Sequence, residues 1–69
     1  MTEHPRISLS PDVLSGKPVI RGTRLTVEFI IGLLAQGLRE DEILANYSAI
    51  AHDDTIACLA YARDVVRGP

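Results

Sequence analysis

Apolar residues follow two periods along this chain, alternating near the N-terminus and recurring every three to four positions from Val27 onward. Arg6-Ile7-Ser8-Leu9 alternates polar and apolar before Ser10-Pro11-Asp12, which predicts a short strand stopping at a turn. Val13-Leu14 is expected to tuck inward. Between Ser15 and Val27, Val19-Ile20 and Leu25-Thr26-Val27 favour extended backbone, Pro18 fixes φ, and Gly16 and Gly22 accept positive φ at little steric cost. The segment reads as a short hairpin or strand pair. Pieces this small need cover from another strand, a helix or a second subunit.

Val27, Ile30, Ile31, Leu34 and Ala35 obey the spacing of one helical face, with Phe29, Leu33 and Leu38 widening the buried surface. Thr26 is placed to cap this first helix, Glu28 puts a negative charge in its first turn, and Gly37 suits the left-handed residue past an end near Gln36. Glu40-Asp41-Glu42 opens a short second helix ending near Asn46, with Ile43, Leu44 and Tyr47 inward. A third helix is expected from around His52 to Asp54 until about Arg67, with Thr55, Cys58, Leu59, Ala62, Val65 and Val66 on one face and Gly68-Pro69 ending it. Ala57, Cys58, Ala60 and Ala62 are small enough to let another helix approach. The expected fold is mainly α, with short N-terminal β-strands followed by a three-helix, helix-turn-helix-like (homeodomain-like) unit. A single domain spans 1–69, divided into a flexible tail at 1–5, a strand or hairpin segment at 6–27 and the three-helix unit at 27–67.

Length makes such a core marginal. A domain of 69 residues buries only about 60% of its unfolded surface. With one cysteine there is no internal disulfide to staple the fold, so a homodimer is expected. Cys58 reads as a small apolar packer of a reducing compartment. The N-terminus lacks the apolar run of a signal peptide, and Phe29 to Ala35 is too short to span a bilayer, so a cytoplasmic protein with no membrane partner is expected.

The net charge of −2 and pI near 5.5 exclude a surface that is basic throughout, so any nucleic-acid contact must be local. Lys17, Arg21 and Arg24 are three of the seven cations, and no acid lies between Ser15 and Val27. A cationic hairpin can lie along a phosphate backbone or an acidic partner surface without specifying sequence, and the alternative is an ordinary solvated turn. The helical outline is that of a helix-turn-helix. Its last helix, however, begins with His52, Asp53 and Asp54 and continues with Ile56, Ala57 and Ala60, which lack the side chains that read base edges. Asp53 and Asp54 are better explained as first-turn charges. No catalytic residue, metal site or cofactor is indicated: His4 and His52 lie far apart, Gly16-Lys17 lacks the spaced glycine of a phosphate-binding loop, and the acidic runs read as solvated helix starts.

The ordered set Gly16, Pro18, Ile20, Gly22-Thr23-Arg24 and Val27, then Gly37, Glu42-Ile43-Leu44, Tyr47, Asp54, Leu59 and Tyr61-Ala62, resembles the prokaryotic family catalogued as domain of unknown function 433. The resemblance covers about residues 7 to 63. Ser48 stands where the family usually has Pro, Ala51 where it has Thr, Asp53 where it has Glu and Thr55 where it has Ile. Members look like antitoxins of the VapB type. The resemblance therefore implies a non-enzymatic antitoxin-like protein that binds and silences a PIN-related nuclease toxin, with binding of its own promoter DNA as a dimer a further expectation. Lys17, Arg21 and Arg24 are the expected contacts for DNA or an acidic partner. The exposed part of the third helix around Ile56, Ala60 and Tyr61 is the expected protein interface. The rival is an assembly module that binds no nucleic acid, favoured by the acidic pI and the poor reading helix.

Overall fold

The computed structural model describes residues 4–9 and 16–68 of the chain. Two strands, β1 (Ile7–Ser8) and β2 (Val19–Ile20), precede three helices, α1 (Val27–Ala35), α2 (Glu40–Asn46) and α3 (His52–Arg67). The fold is mainly α, as the periodicity predicts. The turn expected at Ser10-Pro11-Asp12 and the inward Val13-Leu14 lie outside the described residues.

β1 and β2 pair antiparallel, with Ile7 opposite Ile20 and Ser8 opposite Val19. The other edge of β2 is partly closed by the chain itself. Val19 bridges Thr26, the Ile20 N–H donates to the Leu25 carbonyl at 2.9 Å, and the Val27 N–H donates to the Pro18 carbonyl at 2.9 Å. The turn that makes this return includes Gly22 at φ +82°, a left-handed position glycine adopts without Cβ strain. Thr23 stiffens it, its hydroxyl donating to the Ile20 carbonyl at 2.8 Å and accepting from the Leu25 N–H at 3.0 Å.

Each helix start is capped by a different side chain. The Thr26 hydroxyl accepts from the Phe29 N–H at 2.9 Å and opens α1. At α2, Glu42 reaches back to the Arg39 N–H at 2.9 Å. At α3, where Ala51 has no side-chain acceptor, Asp54 reaches back to the Ala51 N–H, also at 2.9 Å. Gly37, at φ +97°, ends α1 as expected.

Ile7, Ile20, Val27, Ile30, Ile43, Ile50 and Cys58 form the buried core, so strands, helices and the α2–α3 connection all contribute. Full burial of such a side chain stabilises by about 1.5–3 kcal/mol. Among the described residues the buried core holds no aromatic ring, in keeping with a chain of one Phe, two Tyr and no Trp. Thr55 is the exception to its apolar character, its hydroxyl buried without a hydrogen-bond partner among the described residues. Burial raises the Cys58 thiol to a pKa of about 11, with the nearby Asp54 charge adding to the effect, so the thiol stays protonated at neutral pH.

Two expectations are corrected. The tail expected at residues 1–5 is already part of the folded unit at His4 and Pro5: the Ile7 N–H donates to the His4 carbonyl at 3.0 Å, and the His4 ring meets Tyr61 edge-on at 5.2 Å between centroids. On α3 only Thr55 and Cys58 are buried, whereas Leu59, Val65 and Val66, expected inward, are exposed. Leu59 is one residue past buried Cys58 and so turns about 100° away from the core. For Val65 and Val66 the reason is length. α3 has 16 residues and α1 has nine, about 24 Å against about 14 Å, so the last turns of α3 run beyond the helix that would cover them. No helix among the described residues is long and apolar enough to cross a membrane.

Candidate interaction surface

The hairpin cations do not form a free positive patch. Lys17 Nζ lies 3.6 Å from Glu28 Oε1, an acid that the first turn of α1 brings back beside the hairpin. Arg21 works on the backbone: its Nε donates to the Pro5 carbonyl at 2.8 Å and its Nη2 to the Ile7 carbonyl at 3.3 Å. The Arg21 N–H adds a bond to the Arg6 carbonyl at 2.7 Å. Arg21 thus stitches the N-terminal segment onto the hairpin. Arg24 is exposed. Of the three hairpin cations only Lys17 has an acid partner; Arg21 keeps its charge but commits donors to carbonyls, and Arg24 makes no ion pair among the described residues.

The start of α3, where a recognition helix would read bases, is equally engaged. Arg6 Nη1 meets Asp54 Oδ1 at 3.1 Å and Arg6 Nη2 lies 3.5 Å from Asp53 Oδ2, while His52 Nδ1 is 2.7 Å from Glu40 Oε2. These pairs keep two carboxylates at the entrance and occupy its only ring. Sequence inspection assigned Asp53 and Asp54 to the helix start, but it gave no sign that Arg6 would be their partner.

Near the other end, His4 Nε2 stands 2.9 Å from Asp64 Oδ2. Burial pushes the Asp64 carboxyl upward in pKa, but the hydrogen bond and charge of Arg63, with those of His4, prevail and hold it below the usual carboxylate range. Among the described residues no group of three or more His, Cys, Asp or Glu is arranged to hold a metal ion.

What remains open is apolar. Ile56 and Leu59 are 49% and 45% exposed, and with half-exposed Ala60 they sit at i, i+3 and i+4 on one face of α3. Tyr61, expected with them, belongs elsewhere: it packs against the core and against His4. One residue in the helix turns the side chain by about 100°, which is enough to move Tyr61 from the outer strip to the inner face. A second open region is a groove of about 490 Å³ between α1 and the end of α3, whose lining includes Lys17, Glu28, Ile31, Gly32, Val65 and Val66. Ile56 and Ala60 lie on the exposed side of α3 where the sequence placed them, whereas the groove does not follow from helical period, since it depends on where α1 stops.

Residues 7–62 match the family described as protein of unknown function, DUF433. The chain is similar to a DUF433 member from Anabaena variabilis ATCC 29413, whose crystal structure superposes with a TM-score of 0.81 at 33% identity over 84% of this chain. The chain spans 57% of the length of that relative. No curated protein matches it.

Proposed function

The chain belongs to the DUF433 family, and we propose that this member is a non-enzymatic, VapB-type antitoxin-like protein that binds and silences a PIN-related nuclease, working as a dimer in the cytoplasm. The observation that carries the reading is the outer strip of α3, Ile56, Leu59 and Ala60, which no element of the described chain covers. An apolar strip at this spacing is the form in which a helix docks into a groove of another protein. Each large side chain it buries there contributes about 1.5–3 kcal/mol toward binding.

The engaged cations favour this protein-binding reading over one centred on DNA. Phosphate binding through the hairpin would draw on Arg24, on Lys17 after release from Glu28, and on Arg21 only at the cost of its carbonyl bonds. Binding of the promoter is therefore the secondary part of the proposal. The test is RNA cleavage by a PIN-related nuclease encoded beside this chain, assayed with increasing amounts of the purified chain. Stoichiometric inhibition that is lost in Ile56→Asp/Leu59→Asp supports the reading. Undiminished cleavage in the presence of the folded wild-type chain overturns it.

A further inference from the structure

The stretch before β1 and the last turns of α3 meet at one ion pair. His4 Nε2 lies 2.9 Å from Asp64 Oδ2, with only 12% and 17% of the two side chains exposed, and neither atom has another polar partner among the described residues. Each atom therefore depends on the other. The second carboxylate oxygen, Oδ1, is taken by Arg63 Nε at 3.2 Å, so Asp64 stands between two basic side chains. One turn earlier on the helix, Tyr61 meets the His4 ring edge-on at 5.2 Å between centroids.

We propose that His4 and Asp64 form a proton-operated clasp that holds the start of the N-terminal segment over Tyr61 of α3, closed while the imidazole carries its second proton and released as it loses it. The sign follows from what each state of the ring offers Asp64. Imidazolium brings a charge and a donor to a carboxylate oxygen that is cut off from solvent, where screening is weak. The neutral ring brings a donor at most, and in its other tautomer it turns a lone pair toward Oδ2. Loss of the proton weakens the clasp in either case. Burial pushes the Asp64 carboxyl up, but Arg63 and His4 outweigh it and hold the group low, so it stays ionised throughout the range in which an imidazole titrates.

The other charges around His4 leave this effect in place. Arg63 opposes the proton, but it is 57% exposed and sits on the far oxygen. Arg21 is bonded to the Pro5 carbonyl at 2.8 Å, Arg6 is paired with Asp53 and Asp54, and no charged group of α1 or α2 pairs with His4 among the described residues. Only the His4 end is released, because Arg21 keeps its bonds to the Pro5 and Ile7 carbonyls and β1 its pairing with β2.

Nuclear magnetic resonance of the whole chain from about pH 5 to 8.5 tests the clasp, read as the Overhauser contact between the His4 and Tyr61 rings and as the His4 ring shifts. The ring contact is expected at the acid end and is lost as the His4 shifts report deprotonation, the two curves sharing one midpoint. His4→Gln, which keeps a donor but no titrating charge, is expected to leave the Tyr61 ring shifts flat across the range. The other histidine, His52, is 63% exposed against Glu40, and His52→Gln is expected to leave the wild-type transition as it is. A ring contact that stays constant while His4 titrates overturns the proposal. A His4 ring that keeps one protonation state over the whole range, or a Tyr61 transition that persists in His4→Gln or vanishes in His52→Gln, equally overturns it. The wild-type titration decides by itself if a variant fails to fold, and none of these results depends on whether the chain binds a nuclease.

Discussion

Arg6 meets Asp54 across 48 positions of sequence, with Nη1 3.1 Å from Oδ1, and so ties β1 to the first turn of α3. Asp54 has a second task, since its other oxygen accepts from the Ala51 N–H at 2.9 Å and satisfies a donor left free at the helix start. Asp54→Ala is expected to lower stability by about 0.5–2 kcal/mol, the usual loss when a helix cap is removed. Arg6→Ala should cost less, within the roughly 0–1 kcal/mol of an exposed ion pair. Urea unfolding of both variants checks the order, and an Arg6 variant that loses more than the Asp54 variant would show that the ion pair matters more than the cap.

Ser48 sits in the turn between α2 and α3, preceded by Tyr47 at φ −127°, ψ 81°. That conformation lies outside the α region, which a following proline disfavours, and the Ser48 N–H makes no backbone hydrogen bond among the described residues. Ser48→Pro is therefore expected to raise stability by about 0.4–1 kcal/mol through a less flexible unfolded chain. Thermal melting checks this, and a lower melting temperature would mean that proline strains the turn.

The features that could be read from sequence are local. Thr26 capping α1, Gly37 ending it and the acidic openings of α2 and α3 each depend on a few neighbouring residues, and each is found where periodicity and capping chemistry place it. Features set by where distant elements meet were not legible. Ile50 is buried although it lies in a connection outside any periodic pattern, because the turn folds it under the helices. Val65 continues the inner face of α3 but is exposed because α1 lies too short to cover it. Lys17 and Arg21 form part of a basic run in sequence, yet Glu28 and the Pro5 and Ile7 carbonyls engage them in space.

The buried Thr55 hydroxyl leads to a further expectation. An unsatisfied polar group in a core costs about 1–3 kcal/mol, and valine has nearly the same shape without the hydroxyl. Thr55→Val should stabilise the chain by about 1 kcal/mol. Chemical denaturation measures it, and a loss of stability would mean that the hydroxyl has a partner in solution.

Asp64 gives stability a definite dependence on acid pH. Its folded pKa lies below the ordinary value of 3.8, so its unfolded form binds a proton first as pH falls. The contribution is complete above the unfolded value and is lost as pH falls through the folded one. Stability of Asp64→Asn, relative to wild type, should therefore improve as pH drops below about 4, in urea titrations from about pH 6 to 2. A difference between the two proteins that stays constant over this range would remove Asp64 as a source of acid sensitivity.

Binding heat between the chain and a PIN-related nuclease encoded beside it, measured by titration calorimetry, bears most directly on the proposed function. Saturable binding is expected, weakened at least a hundredfold, or about 2.7 kcal/mol, by Ile56→Asp/Leu59→Asp and changed less than about threefold by Arg24→Ala. No binding by the folded wild-type chain, or equal affinity for wild type and the Ile56/Leu59 variant with loss in Arg24→Ala, would contradict the account.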